Sequence, residues 1–417
     1  MSDVGADADT GSGTLAPTSE HDLVEVIKAA IANREAMAVA GSGSKRAFGH
    51  TVGAPRELTT AAMTGVSLYE AAELVMTAAA GTPMREVMNL LRQQSQQLAF
   101  DPVDPAALYG GEPGDGTIGG VFATNLSGSR RLTAGAARDH LLGFRAVSGR
   151  GDVFKSGGRV MKNVTGYDLS KLITGSHGTL AVMSEVTFKV LPKPETERTL
   201  AISGLDAAAA LAALRIASGS PYEVSCLAYL PERSAKDVGL SQPSALLRLE
   251  GPEVSVLSRR DSLAALVGGD GTCDTLDAPA SESLWVQIRD GAPVAAREHA
   301  VWRISTAPTA ALDVVSQAEA NGAGIAAHYF DWAGGLIWLA VPASEPRADA
   351  IRSAVAASGG HATLMRAPED VRASVPVFEP QPKPLAALNR RVKEAFDPFH
   401  ILNPGRMVPG DVSETPS

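Results

Sequence analysis

Along the 417-residue chain the spacing of apolar positions changes several times, and each change marks an element. A helical period over 22–33 gives way to a short strand at 36–40, which runs into Gly41-Ser42-Gly43-Ser44-Lys45. Residues 73–80 read as a strand, and Thr82 with Pro83 has the residue types of a helix cap and first turn. In the helix that follows, Met84, Val87, Met88 and Leu91 recur at i, i+3, i+4 and i+7, a single apolar stripe for a core. Two strands at 141–147 and 152–155 flank Ser148-Gly149-Arg150-Gly151 as a hairpin. The strand at 180–190 puts Leu180, Val182, Val186, Phe188 and Val190 on one face and Glu185, Thr187 and Lys189 on the other, until Pro192 and Pro194 stop it.

Beyond that stop, strand-like and helix-like pieces alternate: 199–203, 206–218 and 223–230, then 300–305, 309–320 and a hairpin over 328–341 turning at Gly334-Gly335. The order predicts paired split βαβ units, a sheet with helices on one face, within an α+β protein. A Pro-rich crossing at 376–384 leads to a helix at 385–395. The chain then ends in Asp397-Pro398-Phe399-His400-Ile401-Leu402-Asn403-Pro404-Gly405-Arg406. The expected partition is a disordered tail at 1–19, a first domain at 20–195, a second at 196–375, a returning segment at 376–410, and a disordered end at 411–417.

Length alone asks for more than one core. The net charge of −9 comes without a Lys/Arg block, which argues against nucleic acid. Two cysteines, Cys226 and Cys273, are too few for a disulfide framework, a zinc knot or a cysteine-ligated iron–sulfur cluster, so redox chemistry needs another cofactor. No apolar run is long enough to span a bilayer, and the acidic, small-residue start lacks the features of a secretory signal. The expectation is a cytoplasmic protein, reaching the inner membrane only through partners, with the sequons at Asn125 and Asn163 as chance matches.

Candidate chemistry concentrates in three glycine-rich stretches. Residues 41–45 are small enough for backbone N–H groups to approach a diphosphate, with Ser42, Ser44 and Lys45 as added donors, although a structural turn explains this loop, taken alone, more simply. The second, 114–128, sets Thr, Asn and Ser among glycines in a long uncharged run that a tight turn does not explain. The third is Gly175-Ser176-His177-Gly178-Thr179-Leu180, at the start of the alternating strand. Together they suit a long cofactor with a phosphate centre and a flat ring. The eight histidines include no pair at metal-helix spacing, and no Gly-x-Ser-x-Gly elbow is present, so no metal site is assigned and hydrolase readings fall away. His177 is read as structural, and the second region shows no clustering of polar residues.

The three loops, the run Lys162-Asn163-Val164-Thr165-Gly166-Tyr167-Asp168-Leu169-Ser170-Lys171-Leu172 and the Asn403-Pro404-Gly405 end resemble the FAD-binding oxidases of the vanillyl alcohol oxidase and p-cresol methylhydroxylase (PCMH) type. Within it, the run from Arg159-Val160-Met161 through Gly178-Thr179-Leu180, with Gly360-His361-Ala362-Thr363-Leu364 and Phe378, looks like the FAD-binding subunits of glycolate oxidase complexes. The resemblance implies a PCMH-type FAD-binding domain of two α+β subdomains at 20–195 and a ferredoxin-like cap over the isoalloxazine. It implies that Gly41, Ser42, Gly43, Ser44 and Lys45 cradle the pyrophosphate. Thr117, Ile118, Gly119, Gly120, Thr124, Asn125 and Gly128 would line the ribityl and ring region, and Gly178, Thr179, Leu180 and Val186 would hold the rest through backbone groups. Where covalent members of the family carry a histidine in the first loop this chain has Ser44 and Lys45, which implies noncovalent FAD. The cap lacks the histidine-rich, metal-binding motif of related hydroxy-acid dehydrogenases, and Arg297-Glu298-His299-Ala300 only echoes it, so no catalytic residue is assigned. The implied role is oxidation of a small 2-hydroxy acid, glycolate to glyoxylate, alongside a catalytic FAD subunit and an iron–sulfur subunit. The alternatives are a non-catalytic structural partner or a stand-alone oxidoreductase acting on another hydroxy acid or alcohol.

Overall fold

A computed structural model describes residues 13–158 and 166–409. The tail up to residue 12, the 159–164 run that carries part of the family resemblance, and the 411–417 end lie outside the described residues. The chain enters the fold before residue 20. Thr14–Leu15 pairs in parallel with Arg56–Thr59, which pairs in parallel with Met37–Ala40. Helix Glu20–Asn33 covers this small sheet with Leu23, Ile27 and Ala30, and its N-cap Ser19 hydroxyl accepts the Asp22 amide at 3.1 Å.

The second sheet of the first domain has five antiparallel strands in the order Val66–Glu70, Val75–Ala79, Ala181–Lys189, Leu141–Ser148, Val153–Gly157. The expected hairpin at Ser148-Gly149-Arg150-Gly151 forms. The long central strand alternates only over its second half. In its first half Val182 faces the core of the small sheet while Ala181 and Met183 face the core under helix Met84–Gln93, so both sides are buried. Met84, Val87 and Leu91 of that helix are buried as their spacing predicts. Thr82, however, does not cap it. Its hydroxyl donates to the carbonyls of Ala79 (2.7 Å) and Gly65 (3.1 Å), and Pro83, in extended conformation, is the N-cap.

The second domain is an eight-stranded antiparallel sheet ordered Thr272–Leu276, Thr196–Ser203, Ser244–Gly251, Cys226–Leu230, Ala327–Asp331, Leu336–Pro342, His299–Thr306, Gly360–Arg366. Within each half the chain order across the sheet is fourth, first, third, second, which makes two ferredoxin-like βαββαβ units. They join edge to edge through their second strands at Tyr229 and Phe330. Helices do not keep to one face, as the pattern suggested. Ala207–Ser218, Glu253–Val267, Ala311–Ala320 and Ala348–Ser358 cover one side. Ala278–Arg289 packs Leu284, Trp285 and Ile288 on the other, in a core shared with Val103, Leu108 and Leu126 of the first domain. That second face is an interdomain seam, and this helix fills the part the first domain does not reach.

Polar contacts fasten the seam. The Ser129 hydroxyl donates to Asp331 Oδ2 at 2.7 Å, the Trp332 indole to the Gly128 carbonyl at 3.1 Å, and the Tyr109 hydroxyl to the Met365 carbonyl at 2.6 Å. The Tyr109 hydroxyl is buried, and Tyr109→Phe removes its donor while leaving the Met365 carbonyl in place. We expect the variant to lose about 1–2 kcal/mol of stability, measured as a lowered midpoint of the cap's tryptophan fluorescence change in urea. An unchanged midpoint would show that the seam does not depend on this bond. Among the described residues no helix is long and apolar enough to cross a membrane.

Candidate cofactor site

Strand Met37–Ala40 ends at the 41–45 loop, and the chain turns there without using its own donors. The first amides to bond back are Arg46 to the Gly43 carbonyl (2.9 Å) and Phe48 to the Lys45 carbonyl (3.0 Å), while no amide from Ser42 to Lys45 donates to another described residue. Gly43 lies at φ +82°, the left-handed region that lets consecutive N–H groups converge on one point. The Lys45 ammonium enters no ion pair or hydrogen bond with a described residue. Burial pushes its pKa down to about 8, against only the distant pull of Asp104. A loop of unspent donors around an unpaired cation fits a diphosphate.

This loop forms one wall of a cavity that, counted with its open mouth, takes in about 750 Å³. The cavity brings together Gly41, Ser42, Gly43, Ser44 and Lys45 with Thr117, Gly119, Gly120 and Thr124 of the second stretch and Gly178 of the third. Thr117 caps helix Ile118–Thr124, its Oγ1 accepting the Gly120 amide at 3.2 Å. The two glycines there differ in purpose. A Cβ on Gly119 would stand 2.7 Å from the Ala80 carbonyl oxygen, whereas one on Gly120 would meet only Thr117 Oγ1, at 3.2 Å. The first permits helix-to-sheet packing, and the second leaves the cavity wall bare.

The remaining candidate positions lie elsewhere. Ile118, Leu180 and Val186 are buried in the core beneath the cavity, and Val186 is paired in the sheet with Ala78 and Phe144. The Asn125 side chain accepts the Arg138 amide at 3.1 Å. Gly128 packs against Asp101 and Arg289 at the seam, and the Thr179 hydroxyl donates to the Ser176 carbonyl at 2.7 Å. Motif adjacency does not separate a residue that lines a cavity from one that supports it.

Several lining residues stood outside the candidate set: Arg46, Phe48, Thr60, Ala80, Ala123, Met183, His177, Asn403 and Arg406. Asn403 is the most informative. Its Oδ1 accepts the Val39 amide at 2.8 Å and its Nδ2 donates to the carbonyls of Val39 (3.0 Å) and His177 (2.8 Å), so one side chain joins the first and third loops. Arg406 Nη1 donates to the carbonyls of Arg46 (2.8 Å) and Phe48 (3.1 Å) and fixes the exit of the first loop. The sequence signal for both was the polar Asn403-Pro404-Gly405-Arg406 end, which spacing could not attach to residues some 360 positions earlier.

The His177 ring stands edge-on to Phe48 (4.9 Å between centroids) and Phe378 (5.2 Å). Burial, then the charge of Arg406, pushes its pKa down to about 3, so it is neutral at pH 7. A group depressed in the folded state from about 6.5 binds more protons unfolded, so its stabilisation is complete above pH 6.5 and is lost as pH falls toward 3. Because the ring keeps some contact with solvent, we expect His177→Asn, which tolerates the local φ of +54°, to lose about 1–2 kcal/mol less than the parent between pH 7 and pH 4. Urea unfolding followed by circular dichroism at the two pH values measures the difference, and parallel losses would contradict it.

Fold and site together define an FAD-binding protein of the p-cresol methylhydroxylase type. Residues 12–157 match the model of the FAD binding domain family. A solved p-cresol methylhydroxylase superposes with a TM-score of 0.63 at 15% identity, over 95% of this chain and 88% of that one. The glycolate oxidase subunit GlcE of Escherichia coli (strain K12) is 32% identical over 389 residues, 92% of this chain and 96% of that protein. The chain belongs to the GlcE family of FAD-linked oxidoreductases. Glycolate oxidase subunit GlcD of Bacillus subtilis (strain 168) is 38% identical over 124 residues, 29% of this chain and 25% of that protein.

Proposed function

We propose that this chain is the FAD-binding subunit of a glycolate oxidase complex, which oxidises glycolate to glyoxylate and passes electrons to partner subunits. The observation that carries the flavin part is the loop of unspent amides around unpaired Lys45, set in a cavity whose far wall is the bare backbone at Gly120. The complex and its substrate are argued from the near full-length likeness to the Escherichia coli subunit. The partners are a catalytic flavin subunit of the GlcD type and an iron–sulfur subunit, in the cytoplasm or at the inner membrane through those partners. Electrons leaving this chain need such a partner because Cys226 is buried beside Arg248, with Arg248 Nη2 at 2.7 Å from Sγ, and Cys273 stands alone on another strand.

FAD, when bound, supplies the two-electron acceptor chemistry. The protein's part is placement: amides 42–45 and Lys45 take the diphosphate, and Asn403 holds the first loop against the third. Neutral His177, wedged between Phe48 and Phe378, offers an uncharged polar edge to the cavity. Noncovalent attachment is argued from the resemblance, since this chain has Ser44 and Lys45 where covalent members of the family carry a histidine. The test is the visible spectrum of the purified chain and its response to acid. A yellow protein that releases all flavin into the acid supernatant, and whose colour bleaches with glycolate anaerobically in the presence of the partners, fits the proposal. A colourless chain that takes up no added FAD sinks it. Lys45→Met is expected to weaken FAD retention by roughly tenfold to a hundredfold, the loss of one charge-assisted contact, measured by fluorescence titration of the apoprotein. An unchanged affinity would remove Lys45 from the site.

A further inference from the structure

The seam between the domains holds a second group of side chains that the flavin site does not use. Val301, Arg303 and Ser305 alternate onto the sheet face that meets the FAD-binding domain, while Trp302 and Ile304 turn into the opposite core. The Arg303 guanidinium lies 4.9 Å from the centre of the Trp332 ring and 6.0 Å from that of Trp338. From the first domain, Arg131 reaches the same Trp332 ring at 5.1 Å. Two cations thus converge on one indole, although like charges at this range repel. Neither guanidinium enters an ion pair or hydrogen bond with another described residue, and Arg303 Nε is buried without a partner. Buried arginines in proteins are paired as a rule, and this molecule follows it elsewhere: Arg289 is held by Asp101 and Asp290, and Arg130 by Glu250.

The acid beside Arg303, Asp331, is already engaged, and Arg131 also feels the carboxylate of Asp139, which Lys171 holds. Asp331 Oδ2 accepts the Ser129 hydroxyl and its Oδ1 accepts the Trp332 amide at 2.8 Å. Trp332 and Ala333 both lie in the left-handed region, at φ +54° and +55°, conformations costly for residues with a Cβ and kept only where surrounding contacts impose them. His361, exposed on the neighbouring strand, has its pKa lowered by burial and then by the fields of Arg303 and Arg131, which places it beside the same group. The adjoining Ala362 amide donates to Glu379, and Phe378 next to that glutamate packs on His177 at the cofactor cavity.

We propose that Arg303 and Arg131, set about Trp332 at the domain seam, form a binding site for a small monocarboxylate. The two guanidiniums present planar donor forks that match a carboxylate, and the acids whose charges act on them, Asp331 and Asp139, are already held by Ser129, the Trp332 amide and Lys171. Both arginines are partly exposed as residues, although Arg303 Nε itself is buried. If the chain serves a glycolate oxidase, this is where an acid's carboxylate would be held, and in that respect the site rests on the functional reading above. The binding itself does not.

The probe is 2-hydroxyisobutyrate, a hydroxy acid without an α-hydrogen and so inert to oxidation, titrated into the full chain while tryptophan fluorescence is followed. A saturable change is expected, weakened at least tenfold in Arg131→Gln and in Arg303→Gln and unchanged in Arg92→Gln, an exposed arginine on helix Met84–Gln93. Should Arg303→Gln fail to fold, the half-exposed Arg131→Gln decides alone. No saturable change in the parent protein, equal binding by the Arg131 variant, or tighter binding of inorganic phosphate would each overturn the proposal. Flavin absorbance is read in the same samples. Bound flavin without acid binding sinks this site only, and acid binding by a colourless chain leaves it standing while sinking the FAD reading.

Discussion

Asp397→Ala should lower the stability of the protein by about 3–5 kcal/mol, the cost of stripping a buried ion of its partner, and should release its flavin. Asp397 is fully buried. It accepts the ammonium of Lys393 at 2.6 Å and the amides of Ile401 (3.2 Å) and Leu402 (2.9 Å). Lys393 in turn donates to the carbonyls of Thr179 (2.7 Å) and Leu402 (2.9 Å). This one pair therefore ties helix Lys383–Phe396, the third glycine loop and the strand-like run that brings Asn403 to the first loop. Removing the acid leaves an ammonium sealed in protein and frees the segment that carries Asn403 and Arg406. The double variant Lys393→Met/Asp397→Asn removes both charges with little change in volume and keeps an oxygen for the Ile401 and Leu402 amides, so it should recover at least half of the lost stability. Thermal melts followed by circular dichroism and by flavin release measure both. A single variant as stable as the parent, or a double variant worse than the single, would contradict the assignment.

Substitution of valine at Gly119 and at Gly120 should separate folding from cofactor retention. At Gly119 the new Cβ would press on the Ala80 carbonyl oxygen at 2.7 Å and on Ala80 Cβ at 2.8 Å, both part of a packed wall that cannot yield cheaply. That variant is expected to fold poorly. At Gly120 only the Thr117 hydroxyl is near, at 3.2 Å, a close contact that this one side chain must ease, and valine is a somewhat better helix former than glycine, so the fold should survive with a far smaller drop in melting point than at Gly119. The isopropyl group would instead fill the space left against the cavity, and flavin retention should fall at least a hundredfold. The ratio of flavin to protein absorbance after gel filtration, read beside circular dichroism, gives the answer. Flavin held normally by Gly120→Val would place the cofactor away from this wall.

Much of this was legible because local chemistry and global fold agree. The amphipathic stripe at Met84, Val87 and Leu91, the glycine loops at strand ends and the hairpin at 148–151 each depend on neighbours within a few residues, where periodicity is informative. What could not be read depends on distance along the chain. Ile118 and Val186 share motifs with cavity residues but face the core, because adjacency in sequence does not say which side of an element a cofactor meets. Asn403 and Arg406 act on partners some 360 residues away. The polar group around Trp332 was invisible for the same reason. Arg131, Arg303, Asp331 and His361 are scattered singly through unremarkable stretches, and only the stacking of one domain on the other gathers them.

Asn403 has a consequence for how the protein is made. The first loop is synthesised early, yet the side chain that splints it to the third loop follows some 360 residues later. Domains tend to fold as they emerge, at about 5–20 residues per second, so the N-terminal sheets would spend on the order of ten seconds or more assembled around an unfinished pocket. Flavin loading must then await the segment that carries Asn403, and a chain terminated before it would keep both sheets yet be unable to retain its cofactor.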